Sequence, residues 1–199
     1  MPPARAADHH RVPQAEEELA LLRRVALGDR SALERLYAVY HRRLFGFLIR
    51  FTERHDLVEE IINDTLYTVW CKAGEFRDES AVSTWIIGIA YRRALKSLKR
   101  QSFWLRTDGE AMDAPDASAD PSEETGDWLA QGLARLPLEQ RMTLELAYFL
   151  GHSCEEIAAI SGCPVNTVKT RMFNARRRLR ELLPQLAEGN GADGTGRTR

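Results

Sequence analysis

Residues 165–180 contain Lys169, Arg171, Arg176, Arg177, Arg178 and Arg180, with no acid among them. Asn166, Thr167, Thr170 and Asn174 are interleaved with these cations. Guanidinium groups, amides and hydroxyls are the side chains that bond base edges and phosphates in a DNA major groove. A second acid-free stretch, residues 91–106, carries Arg92, Arg93, Lys96, Lys99, Arg100 and Arg106. Residues 107–127 between them hold Asp108, Glu110, Asp113, Asp116, Asp120, Glu123, Glu124 and Asp127, and no base. Two basic segments separated by an acidic strip predict two contacts with a polyanion, a pattern that the net charge of −1 conceals. For either block alone, a merely solvated charged face is the competing reading.

The C-terminal basic run needs a scaffold, and the residues before it supply one. Ser153 followed by Glu156 is a capping box that opens a short helix with Ile157, Ala158 and Ile160 inward. Gly162 stands where a tight turn needs a residue tolerant of positive φ. From Val165 a longer helix buries Val168, Met172, Ala175 and Leu179. Two helices joined by a short glycine-containing turn form a helix-turn-helix, the alternative being a plain hairpin with a solvated basic face. Thr167, Thr170, Arg171 and Asn174 share the reading face, because residues three and four apart are neighbours on a helix. Lys169 falls at its border, near a phosphate, with Arg176 and Arg177 on the DNA backbone.

The rest of the chain also reads as helical, with no alternating strand pattern and no repeat. Residues 16–27 carry Leu19, Leu22, Val25 and Ala26 at helical spacing, and Gly28 and Asp29 break the pattern. A second helix to about Phe51 buries Leu33, Leu36, Tyr37, Tyr40, Leu44, Phe47 and Leu48, with Asp29 or Ser31 as its cap. A third, residues 56–72, buries Leu57, Ile61, Leu66 and Val69. Residues 73–83 form a loop and 84–101 a fourth helix. The expected fold is all-α: two small helical domains, 15–102 and 127–187, joined by a flexible acidic linker, 103–126. A disordered head (1–14) and tail (188–199) flank them.

Several function classes are excluded at this stage. Cys71, Cys154 and Cys163 are too sparse for a disulfide framework or a zinc ligand set, and suit a reducing cytosol. The N-terminus has no signal-peptide core, and no apolar run could span a bilayer, so the expectation is a cytoplasmic protein without membrane insertion. His41, His55 and His152 lie far apart, and neither a nucleophile–base pair nor a phosphate loop stands out. The expectation is therefore not an enzyme, and no cofactor or metal.

Family resemblance sharpens the reading. Leu136-Pro137, Glu156-Ile157-Ala158, Thr167-Val168-Lys169-Thr170-Arg171 and Ala175-Arg176 resemble the promoter-binding C-terminal domain of extracytoplasmic-function (ECF) sigma factors of the sigma-70 family. Residues 56–101, with their acidic helix, Phe76-Arg77 loop and Ser83-Thr84-Trp85, resemble the other domain of that family. The resemblance implies a transcription initiation factor that binds core RNA polymerase and promoter DNA, under control of an anti-sigma factor. It implies polymerase contact by Asp56, Glu59, Glu60, Asn63 and Asp64, whose acidic face suits a basic partner. It implies capture of a flipped −10 base by the 76–83 loop, with Asp78, Ser80 and Ser83 as polar groups. Trp85 either stacks there or packs in the core. Tyr91, Arg92, Arg93 and Lys96 would follow the backbone of the −10 element. Asn166, Thr167, Lys169, Thr170, Arg171, Asn174, Arg176 and Arg177 would meet the −35 element. The chain departs from the family at Ile87-Gly88, where a basic or aromatic pair is frequent, at Arg92 and at Asn166. A DNA-binding regulator that works without polymerase would explain the helix-turn-helix but not residues 56–101.

Overall fold

Asp29 ends one helix and begins the next. The computed structural model describes residues 8–107 and 127–191, with side chains over 15–101 and 128–186. Helix α1 spans Asp8–Ala26 and α2 spans Arg30–Leu48, with Gly28 between them at φ +83°. The Asp29 carboxylate accepts from the Ser31 and Ala32 amides and the Ser31 hydroxyl, and pairs with Arg24 at 2.7 Å. These bonds satisfy amides that the first turn of a helix leaves orphaned. With the Ser31 and Arg24 bonds foremost, they lower the Asp29 pKa from 3.8 to about 2. A depressed folded pKa stabilises above the unfolded value and is lost as pH falls through the folded one. The unfolding midpoints of the wild type and Asp29→Asn should therefore differ at neutral pH. They should converge as pH drops from about 4 to about 2, and a gap that persists at the lower pH would refute this role.

Helix α3 spans His55–Lys72, followed by a single 3-10 turn at Ala73–Glu75, and α4 spans Val82–Thr107. In the second half, α5 spans Asp127–Ala134, α6 Leu138–Tyr148, α7 Cys154–Ser161 and α8 Val165–Gly191. Three boundaries differ from expectation. Helix α1 starts at Asp8, inside the expected head; α4 runs into the expected linker as far as Thr107; α8 passes Pro184 and reaches Gly191, inside the expected tail. Extending an existing helix fixes one residue per added hydrogen bond, and neither Gly nor Pro interrupts α4 between Ala90 and Thr107. Residues 1–7, 108–126 and 192–199, with most of the expected linker, lie outside the described residues.

The two halves do not keep separate cores. Leu22, Leu36, Tyr40, Leu44, Phe47, Ile62, Val69, Ile86 and Ile87 form one apolar cluster with Met142, Leu146, Ile157, Ile160 and Val168 of the second half. A small second cluster joins Leu136, Leu144 and Ala175. Tyr37, expected in the core, is exposed and donates to Asn63 at 3.2 Å. It lies three residues before Tyr40, and the buried stripe of α2 turns toward Tyr40, whose hydroxyl donates to the buried Glu18.

Candidate nucleic-acid interface

The helix-turn-helix is built as the sequence dictates. The Ser153 hydroxyl accepts from the Glu156 amide at 3.1 Å while the Glu156 carboxylate accepts from the Ser153 amide at 2.8 Å. Gly162 closes α7 at φ +66°, where its amide returns to the Ala158 carbonyl. A side chain there would be strained, because L-residues rarely adopt that conformation. The turn delivers α8 with Val168, Met172 and Ala175 buried. Asn166, Lys169, Thr170, Arg176 and Arg177 are exposed, and Thr167, Arg171 and Asn174 are half-buried. The exposed Thr170 hydroxyl donates to the Asn166 carbonyl at 2.8 Å.

The cations of α8 are placed differently from one another. Arg176 donates to the Tyr148 hydroxyl at 3.0 Å, and Arg177 lies over the Phe173 ring at 6.0 Å. Both remain at the surface, able to swing onto phosphates. Arg171 pairs with Glu139 of α6, and Glu139 also takes Lys99 of α4 at 2.7 Å. Lys99, with Arg171, holds the Glu139 carboxyl below its ordinary pKa. The Arg171 side chain is only 22% exposed.

On α4 the expected row of contacts divides. Arg92 and Lys96 are exposed one turn apart. Arg93 turns instead to α3, where it reaches Asp64 at 2.5 Å and Thr68 at 2.8 Å. Tyr91 is a correction: it is 2% exposed and faces Arg171, Glu139 and Cys163, where burial raises its phenol pKa. A phenol sealed between two helices has no face for DNA. Asp78, at φ 55°, pairs with Arg23 of α1 at 3.0 Å, and the Ser80 hydroxyl donates to the Ala81 carbonyl at 3.4 Å. Ser83 is half-buried. Trp85 packs on Phe76 at 5.4 Å and also lines an open cleft of about 350 Å³. Thr68, Lys72, Arg92 and Arg93 share that cleft, which therefore combines a ring face with cations.

On α3, Asp56, Glu60, Asn63 and Asp64 are exposed, and Glu59 holds His41 at 3.0 Å. Asp56 pairs with Arg54 at 2.5 Å, and that bond lowers its pKa. Sequence reasoning missed Tyr67, which is 69% exposed. Its spacing of three and four from Asp64 and Asn63, and of seven from Glu60, puts it on their face. Glu139 was missed as well, and 32 residues of separation from Arg171 left no local signal for it.

Comparison with known proteins matches this geometry. Residues 36–103 match the family described as Sigma-70 region 2, and residues 126–179 the family described as Sigma-70, region 4. The ECF RNA polymerase sigma factor RpoE of Cereibacter sphaeroides is 31% identical over 161 residues, covering 77% of this chain and 87% of that protein. The RNA polymerase sigma-H factor of Pseudomonas aeruginosa is 28% identical over 185 residues, covering 86% and 96%. The sigma factor RpoE from Bartonella quintana, co-crystallised with the anti-sigma factor NepR, aligns with a TM-score of 0.62 at 27% identity, covering 76% of this chain and 96% of that one. Among the described residues no helix is long and apolar enough to cross a membrane.

Proposed function

Because the chain belongs to the ECF RNA polymerase sigma factors of the sigma-70 family, we propose that it binds core RNA polymerase and directs it to promoter DNA for initiation. The observation that carries this is one chain holding both a capped helix-turn-helix with an acid-free reading helix and a helical half that matches sigma-70 region 2. A DNA-binding regulator working alone has no use for the second element.

The parts divide the work as follows. The exposed face of α3, with Asp56, Glu59, Glu60, Asn63, Asp64 and Tyr67, docks on a basic helical surface of the polymerase. The cleft beside Trp85 receives an unstacked base of the −10 element, with Asp78 and Ser80 on the adjoining loop, Ser83 in the first turn of α4, and Arg92, Arg93 and Lys96 on its phosphates. Helix α8 meets the −35 element. The chain contributes recognition, and the polymerase performs the chemistry, in the cytoplasm where promoter DNA lies. An anti-sigma protein restrains it, as the NepR complex of a relative supports.

Reconstitution tests the whole reading. Core polymerase plus this chain should give transcripts with a few fixed start sites from fragmented genomic DNA, and neither component alone should. Failure of the folded chain to co-elute with core polymerase would overturn it.

A further inference from the structure

We infer that α2 braces the polymerase-docking face of α3, with His41 as the positioning residue that aims Glu59; this rests on the proposed docking of α3. Three contacts join the two helices: Tyr37 with Asn63, His41 with Glu59 and Phe45 with His55. Each step of four residues along α2 is matched by four residues back along α3. The helices therefore run antiparallel, and the contacts form a ladder with rungs about one turn apart. On α2 the rungs also stack on one another. The His41 ring lies 5.4 Å from Tyr37 and 6.0 Å from Phe45, with interplanar angles of 24° and 20°. Phe45 in turn packs against the apolar core. The imidazole is thus held between two rings, one of them anchored below the surface.

His41 Nε2 lies 3.0 Å from both carboxylate oxygens of Glu59. An ionised carboxylate only accepts, so Nε2 carries the proton that faces it. One N–H shared by two oxygens fixes the plane of the carboxylate and leaves each oxygen a further lone pair for a cationic partner. The Glu59 side chain stays 40% exposed for that purpose. One turn away the Tyr37 hydroxyl donates to Asn63 Oδ1 at 3.2 Å, which turns the amide nitrogen of Asn63 toward a partner. Asp64 is held from the opposite flank, by Arg93 of α4. A long side chain ordered before docking loses less freedom when it binds. His41 therefore strengthens docking through Glu59, without touching the polymerase itself.

The affinity of the full chain for core RNA polymerase tests this. His41→Phe keeps a ring between Tyr37 and Phe45 but removes the donor, and it should bind about fivefold more weakly. His41→Gln, whose amide N–H has about the reach of Nε2, should restore wild-type affinity. In a chain that already carries Glu59→Ala, His41→Phe should cost nothing further, because the side chain it acts through is gone. Tyr37→Phe removes only a hydroxyl; it should weaken binding by about twofold, and only while Asn63 is present. That pair decides the matter if His41→Phe no longer unfolds cooperatively. Losses that add in the His41→Phe, Glu59→Ala double variant would overturn the brace. So would wild-type affinity of His41→Phe beside a weakened Glu59→Ala, an outcome that leaves the docking of α3 standing. Wild-type affinity of both Glu59→Ala and Asn63→Ala would instead overturn the docking of that face, and the brace with it.

Discussion

Reversing the charges of Glu59, Glu60 and Asp64 together to lysine should lower affinity for core RNA polymerase by at least about 100-fold while the chain still unfolds cooperatively. Opposing like charges across an interface cost several kcal/mol, and each 1.4 kcal/mol is tenfold. The three side chains belong to the outer surface of α3, whose inner face is the buried row Leu57, Ile61, Thr65 and Leu66. Their loss therefore leaves the core untouched. What the substitution removes within the chain is the Glu59–His41 contact at 3.0 Å and the Asp64–Arg93 pair at 2.5 Å. Exposed pairs of that kind contribute about 0–1 kcal/mol each, too little to unfold the chain. Tyr67→Ala separates charge from shape on the same face. It should weaken binding at any ionic strength, whereas the effect of the charge reversal should shrink as salt rises. Retention of wild-type affinity by the folded triple variant would remove α3 from the polymerase contact.

Features decided within a few residues of sequence were legible. The capping box at Ser153 and Glu156, the positive φ of Gly162 and the buried row Val168, Met172 and Ala175 all follow from local geometry. Tyr91 was misread because Arg92 and Arg93 follow it directly in sequence. The stretch from Trp85 to Ile89 and on to Tyr91 holds no charge, with Ile86, Ile87, Ile89 and Ala90 all buried. A helix that is apolar all round is covered on more than one side, and the second cover is α7. That partner lies some sixty residues away, beyond a segment whose composition says nothing about what it connects. Glu139 is invisible for the same reason: its partners Lys99 and Arg171 come from two other helices.

The shared core also changes what the boundary between halves means. Composition alone suggested two domains free to rearrange about an acidic tether. Met142, Leu146, Ile157, Ile160 and Val168 instead complete the first half's apolar cluster. Separating the halves exposes that surface to water, and burial of apolar area is the dominant favourable term in association. Any state in which α4 and α8 each lie on DNA must therefore regain elsewhere what the interface supplies, from phosphate contacts and from the polymerase surface.

Within the −35 contact, Arg171→Ala and Arg177→Ala should fail in different ways. Thr167, Thr170, Arg171 and Asn174 lie at spacings of three and four and share one face of α8. Arg171 sits at the edge of that face next to the buried row, 22% exposed and paired with Glu139, so its guanidinium must leave that carboxylate to fork onto a base. A bidentate contact from such a group to a guanine edge supplies about 1–3 kcal/mol of discrimination. Arg177 is exposed and lies over the Phe173 ring at 6.0 Å, an arrangement that suits a phosphate without fixed geometry. Measured as holoenzyme against a panel of −35 substitutions at two salt concentrations, Arg171→Ala should flatten the preference by about 5- to 150-fold at one or two positions. Arg177→Ala should weaken every sequence alike and reduce the salt slope by about one. Lys169 diverges from Arg171 by about 200° on an ideal helix, so Lys169→Ala should resemble Arg177→Ala. If Arg177→Ala alters sequence preference and Arg171→Ala does not, α8 enters the groove rotated from this orientation. The Glu139 pair would then be a structural bond that persists on DNA.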